Sequence, residues 1–157
     1  MSEKMVNLFV YGTLRCNEPN SYLLFYEDSG CELISTDCTL RGYEMYSLGG
    51  YPAITESENP DAAVKGDLVR VPEGLLKEAI DRLEGYSENC RDEDNYYLRK
   101  IGKVTDENGQ VHDAWFYCME VEKLQFHSAR IIPDGDWCRF RKEGNDRPHR
   151  SKASLRR

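Results

Sequence analysis

The apolar residues Val6, Leu8, Phe9, Val10 and Tyr11 run together and stop at Gly12, which predicts a buried strand over residues 5–11. Tyr22, Leu24 and Phe25 follow within residues 20–26, behind Pro19, a residue suited to a first helical turn; a helix returning the chain across the sheet is expected there. From 31 to 48 apolar and polar positions alternate through Leu33, Cys38, Leu40, Tyr43 and Met45, and Gly42 interrupts them. That pattern fits one long bent strand or two strands around a bulge. Gly49 and Gly50 mark a turn before a short extended piece at 51–54, and residues 63–71 read as a further strand ended by Pro72.

At Glu73 the period changes. Leu75, Leu76, Ala79, Ile80 and Leu83 recur at helical spacing with Glu73 in the first turn, so 73–83 is expected to be a helix. Gly85 stands where a left-handed residue would end it, which leaves Glu84 in or beside the last turn. A polar loop, 87–95, precedes two strands, 96–104 and 111–121, joined through Asn108-Gly109, an antiparallel hairpin signal. The run 114–119 is apolar on both faces and should be a central strand. Residues 133–137 read as a loop. Strands outnumber helices and hairpins outnumber crossovers, so the fold class is α+β with a largely antiparallel or mixed, barrel-like sheet.

A chain of 157 residues supports one core, taken here as a domain over 1–138. Residues 139–157 hold eight Lys/Arg against Glu143 and Asp146, a net +6 on a chain of net −7, and read as a basic, flexible tail. The acidic body argues against a broad nucleic-acid surface, so a nucleic-acid partner is not expected. Mean hydropathy is −0.70, and no apolar run approaches the ~20 residues that cross a bilayer. No membrane association is expected. The first residues lack the apolar core of a secretory signal, which makes the cytoplasm the expected compartment. In that reducing setting the six cysteines are expected as free thiols. None forms a Cys-x-x-Cys pair and His112, His127 and His149 are scattered, so neither metal nor cofactor is expected.

Two segments carry chemistry. A strand ending at a glycine turn presents backbone N–H groups that lack ladder partners, a setting suited to a carboxylate or an oxyanion. Here that turn is Gly12-Thr13-Leu14, followed by Arg15, which the sequence leaves as a solvated cation. The second segment is Asp81-Arg82-Leu83-Glu84-Gly85, where a carboxylate at a helix end beside apolar Leu83 would have its pKa raised toward working pH. Glu84 is the candidate and Asp81, one turn earlier, its comparison.

The pairing of Tyr11-Gly12-Thr13-Leu14 with Glu84-Gly85 resembles the gamma-glutamylcyclotransferase-like family, the gamma-glutamylamine branch more than the glutathione-specific one. The resemblance spans about residues 6–137. It implies a small mixed barrel flanked by helices and a cofactor-independent enzyme acting on a small gamma-glutamyl substrate. It further implies Glu84 as general acid/base and Tyr11, Gly12, Thr13 and Leu14 as substrate contacts. Gly49-Gly50-Tyr51-Pro52 matches the family's pocket-lining segment, with Tyr51 a wall; Tyr96-Tyr97 matches a later strand, Tyr97 facing the ligand and Tyr96 the alternative. The expected reaction is attack of the substrate's own α-amine on its γ-carbonyl, releasing 5-oxoproline and an amine. The alternative is a non-catalytic binding module of the same fold for a small acid or a peptide terminus. The 87–95 loop is a candidate lid.

Overall fold

The computed structural model describes residues 4–15, 18, 21–26 and 28–143. Pro19, Asn20, Cys16 and the tail from residue 144 onward lie outside the described residues. Five strands close a barrel in the order β1 (Met5–Val10), β5 (Ala63–Pro72), β2 (Glu32–Arg41), β6 (Leu98–Thr105) and β7 (Val111–Cys118). All neighbours are antiparallel except β1 and β7, whose parallel contact at Leu8 and Trp115 completes the ring. The α+β class and the mixed, largely antiparallel barrel are therefore as expected.

Gly42, at φ +90°, separates β2 from β3 (Tyr43–Ser47), and the division does more than bend one strand. β3 leaves the barrel and forms a second, antiparallel sheet with β4 (Pro52–Glu56) and β8 (Arg130–Ile132). Neither that sheet nor β8 was foreseen, because a three-residue strand leaves almost no periodicity to read. The strand expected to reach 121 ends at Cys118, and a 3₁₀ segment follows at Val121–Phe126. Of the helix expected at 20–26, the described residues form one 3₁₀ turn, Ser21–Leu23.

Period two divides the interior. Phe9 of β1 and Tyr11 just after it join Leu68 of β5, Leu40 of β2 and Phe116 of β7 in one buried cluster, which Met45, Ile54, Ile132 and Trp137 extend into the second sheet and α3 (Trp137–Lys142). The alternate residues Leu8, Val10, Val69, Val71 and Tyr117 pack outward against Leu76 and Ile80 of the helical segment. The boundary expected at 138/139 falls inside α3. Phe140 is buried and Arg141 makes a two-pronged ion pair with buried Glu18 (2.8 and 3.0 Å), so the basic run up to residue 142 belongs to the folded body.

Candidate active site

The segment that carries Glu84 is helical but not uniformly α. It opens as α1 (Glu73–Leu75), widens to a π stretch over Leu76–Ile80 and closes as α2 (Asp81–Leu83). A π turn inserts roughly one residue, so every position after it rotates relative to an unbroken α-helix. Leu76 and Ile80 face the core, and the residue next brought inward is Asp81, 4% exposed. Leu83, expected in the core, is 43% exposed at the lip of a cleft, and Ala79 is also exposed. The same rotation turns Glu84 inward.

Gly85 ends the helix as expected, at φ +70°. Tyr86 N–H donates to the Asp81 carbonyl (2.9 Å) and Gly85 N–H to the Arg82 carbonyl (3.1 Å), the paired bonds of a Schellman cap. Glu84 is the last residue before the chain reverses, held from both sides by backbone.

The other wall is the turn after β1, closed by Arg15 N–H donating to the Gly12 carbonyl (3.0 Å). Gly12 is there for space. A Cβ at this position would stand 2.7 Å from Pro52 Cγ and 2.8 Å from its Cδ. The turn after β1 and the start of β4 thus meet through a glycine and a proline, both of which border a cleft. Residues 9–14, Tyr51, Pro52, Leu83, Glu84, Tyr97 and Tyr117 line it, and it opens to solvent.

Every residue nominated from the sequence (Tyr11, Gly12, Thr13, Leu14, Tyr51, Glu84 and Tyr97) therefore borders one cleft. Three phenols there have their protons committed. Tyr11 donates to the Tyr117 carbonyl (2.6 Å), Tyr97 to the Pro52 carbonyl (2.8 Å) and Tyr117 to Asp81 Oδ1 (2.5 Å). Burial raises all three phenol pKa values, and the Glu84 charge adds to each. They stay protonated at neutral pH. Tyr96, the alternative to Tyr97, is at the side, sharing a hydrogen bond with the Tyr51 hydroxyl (2.5 Å) and packing edge-on against Tyr97 and His127.

Two expectations need correction. Arg15 is not a solvated cation: its side chain is 12% exposed and pairs with buried Asp67 (3.1 Å) while also donating to the Thr36 carbonyl (3.2 Å). It anchors the turn to β5 and does not line the cleft. Nor do residues 87–95 cover the cleft; none of them lines it, and Asn95 fastens the loop to itself through Ser87 N–H (2.9 Å) and the Ser87 carbonyl (3.3 Å).

Sequence reasoning missed Tyr117 and the partners of Asp81. Tyr117 was hidden in an apolar run, although alternation places it on the face opposite Phe116 and Cys118, and a tyrosine in such a run needs a partner for its hydroxyl. Among the described residues no group of three or more His, Cys, Asp or Glu side chains could hold a metal ion, and no helix is long and apolar enough to cross a membrane.

A mixed barrel with a carboxylate at a helix cap facing a glycine turn defines a recognisable class. The chain belongs to the family described as gamma-glutamyl cyclotransferase, AIG2-like, whose model matches residues 8–139. It is 32% identical over 152 residues to the gamma-L-glutamyl-butirosin B gamma-glutamyl cyclotransferase of Niallia circulans, covering 92% of this chain and 88% of that protein. It is 31% identical over 131 residues to a putative gamma-glutamylcyclotransferase of Vibrio cholerae, covering 83% and 94%. Among solved structures, a mouse AIG2-like protein has the same fold at 22% identity and a TM-score of 0.58, over 73% of this chain and 77% of that one. Membership and relatives together support gamma-glutamyl cyclotransferase activity in general terms.

Proposed function

We propose that this protein releases 5-oxoproline and a free amine from a gamma-glutamyl amide, with Glu84 moving the protons. The observation that carries the reading is the shared cleft of Glu84 and the Gly12–Leu14 turn, two segments about 70 residues apart in the sequence. The substrate's α-nitrogen attacks its own γ-carbonyl and closes a five-membered lactam. Because nucleophile and electrophile belong to one molecule, an effective molarity of roughly 10⁵–10⁸ M is open to a correctly folded glutamyl chain. What remains for the protein is orientation and proton transfer.

The α-nitrogen enters as an ammonium and ends as a lactam N–H, losing two protons, while the departing nitrogen gains two and leaves as an ammonium. Glu84 takes one proton from the first and delivers it to the second, and the other passes from the first to solvent and from solvent to the second, so a single carboxyl group serves as base and then acid. The backbone N–H groups of the 12–14 turn face the developing oxyanion or the substrate carboxylate. Tyr97 and Tyr117, having spent their protons on fixed acceptors, can only accept, which suits an ammonium donor.

The test is mass-spectrometric detection of 5-oxoproline from a panel of gamma-glutamyl amines, amino acids and peptides. The wild-type chain should release it from at least one, and Glu84→Gln should lower the rate by roughly 10²–10⁴-fold with ligand binding retained. Unchanged product formation by Glu84→Gln would remove Glu84 from the mechanism.

A further inference from the structure

Asp81 is a buried carboxylate outside the cleft that the proposed chemistry does not use. Burying such a charge is costly unless both its charge and its lone pairs are met. Its Oδ1 accepts from Arg99 Nε (2.8 Å) and from the Tyr117 hydroxyl (2.5 Å). Arg99 in turn lies over the rings of Trp115 (4.6 Å) and Tyr86 (5.2 Å), and its Nη2 continues to Glu88.

Two links run from this carboxylate to the cleft. Through its side chain, Asp81 fixes the hydroxyl of Tyr117, whose ring lines the cleft and whose carbonyl receives the Tyr11 hydroxyl. Through its backbone, the Asp81 carbonyl takes the Tyr86 N–H and closes the cap that sets Glu84. An ion pair serving stability alone would need only the arginine; here the same oxygen also holds a wall of the site.

We propose that Asp81, paired with Arg99, is a positioning residue that locks Tyr117 from behind and keeps Glu84 aimed across the cleft at the 12–14 turn. For its effect on turnover this rests on the cyclotransferase reading given above. The charged and titratable groups around Asp81 are Arg99 from β6, Tyr117 from β7, Tyr86 and Glu88 from the segment after the helix, and Glu84 and Lys77 from the helical segment, Lys77 pairing with Glu88 at 3.8 Å. Removing the Asp81 charge leaves the guanidinium balanced by Glu88 alone and makes the surroundings of Tyr117 more positive.

The experiment uses full-length Asp81→Asn, Tyr117→Phe and the double variant. Each single change should lower kcat at least about tenfold while KM moves less than about threefold. The double variant should be no slower than the slower single, because both act through one contact. In Asp81→Asn the acid limb of the kcat profile should move to lower pH, a shift that a merely structural loss would not produce. Independent, multiplying losses would overturn the proposal, as would an Asp81→Asn protein with a lowered Tm but unaltered kcat and pH profile. Tyr117→Phe keeps the Asp81–Arg99 pair, so an unchanged kcat there sinks the proposal even if Asp81→Asn fails to fold. Should no substrate yield 5-oxoproline, the activity reading fails, and the Tm values of the two single variants and the double variant still decide whether Asp81 holds Tyr117: the double loss should fall short of the sum of the single ones, and additive losses would overturn the contact.

Discussion

Asp81 and Glu84 stand three residues apart on one helix end, yet the first is closed on Arg99 beneath the surface and the second borders the cleft. An unbroken α-helix with Leu76 and Ile80 inward would put Leu83 inward as well. The π turn over Leu76–Ile80 shifts the phase by about one residue, and the shift gives each acid its place. One helical segment thereby supplies a structural carboxylate and a cleft-facing one.

Gly12→Ala should damage the cleft more than the barrel. The new methyl would meet Pro52 Cγ and Cδ at 2.7 and 2.8 Å, and a proline ring has no rotamer in which to withdraw. Pro52 is also held by Ser47 across β3 and by the Tyr97 hydroxyl on its carbonyl. Overpacking of this kind costs about 1–3 kcal/mol. We expect a lower Tm together with a raised KM for the gamma-glutamyl substrate, read by thermal unfolding and steady-state kinetics; a normal KM with a lowered Tm would show that Pro52 does not shape substrate binding.

Gly85→Ala tests the cap. Its φ of +70° is unfavourable for alanine by about 1–2 kcal/mol, and its Cβ would lie 2.9 Å from Tyr96 Cβ, an atom that no side-chain rotation can move away. The Tm should fall by roughly 2–12 °C, taking about 1–3 kcal/mol in all at about 2–4 °C per kcal/mol for a domain of this size. Because Glu84 immediately precedes the cap, kcat should fall as well. Retention of full kcat in the folded fraction would mean that Glu84 holds its position without the cap.

Much of this architecture was legible because it is local. The break at Gly42, the cap at Gly85 and the turn at Asn108-Gly109 are each set by backbone sterics that one or two residues announce, whereas Gly12, announced as a stop, is required by the approach of Pro52 from β4. The carboxylate and the glycine turn were found by motif. Other features are pairings between distant segments: β1 against β7, β3 leaving the barrel for β8, Tyr117 against Asp81 and Arg15 against Asp67. Nothing within ten residues of Asp81 indicates that its partner is Arg99, since that choice is made by the register of β6 and β7 against the helix. The π turn was invisible for a related reason: the apolar spacing at 75–83 fits an α-helix, and packing overrides it.

Alkaline pH should destabilise the protein through its buried thiols and phenols. Burial raises Cys118 to about 11 and Cys138 to about 12, while Tyr11, Tyr97 and Tyr117 are also pushed up. In the unfolded chain these thiols ionise near their ordinary value of about 9, so above that pH the unfolded state has released protons that the folded state still holds. The contribution is complete below pH ~9 and is lost as pH rises through the folded values, so Tm should drop between about pH 9 and 12. The same burial predicts the order of thiol modification among the described cysteines: Cys90, which is exposed, reacts first with a thiol reagent at neutral pH, while Cys118, 3% exposed, and Cys38 react only on unfolding. Peptide mapping after brief alkylation reads this directly, and early labelling of Cys118 would contradict its burial beside Leu98 of β6 and the residues of the second sheet.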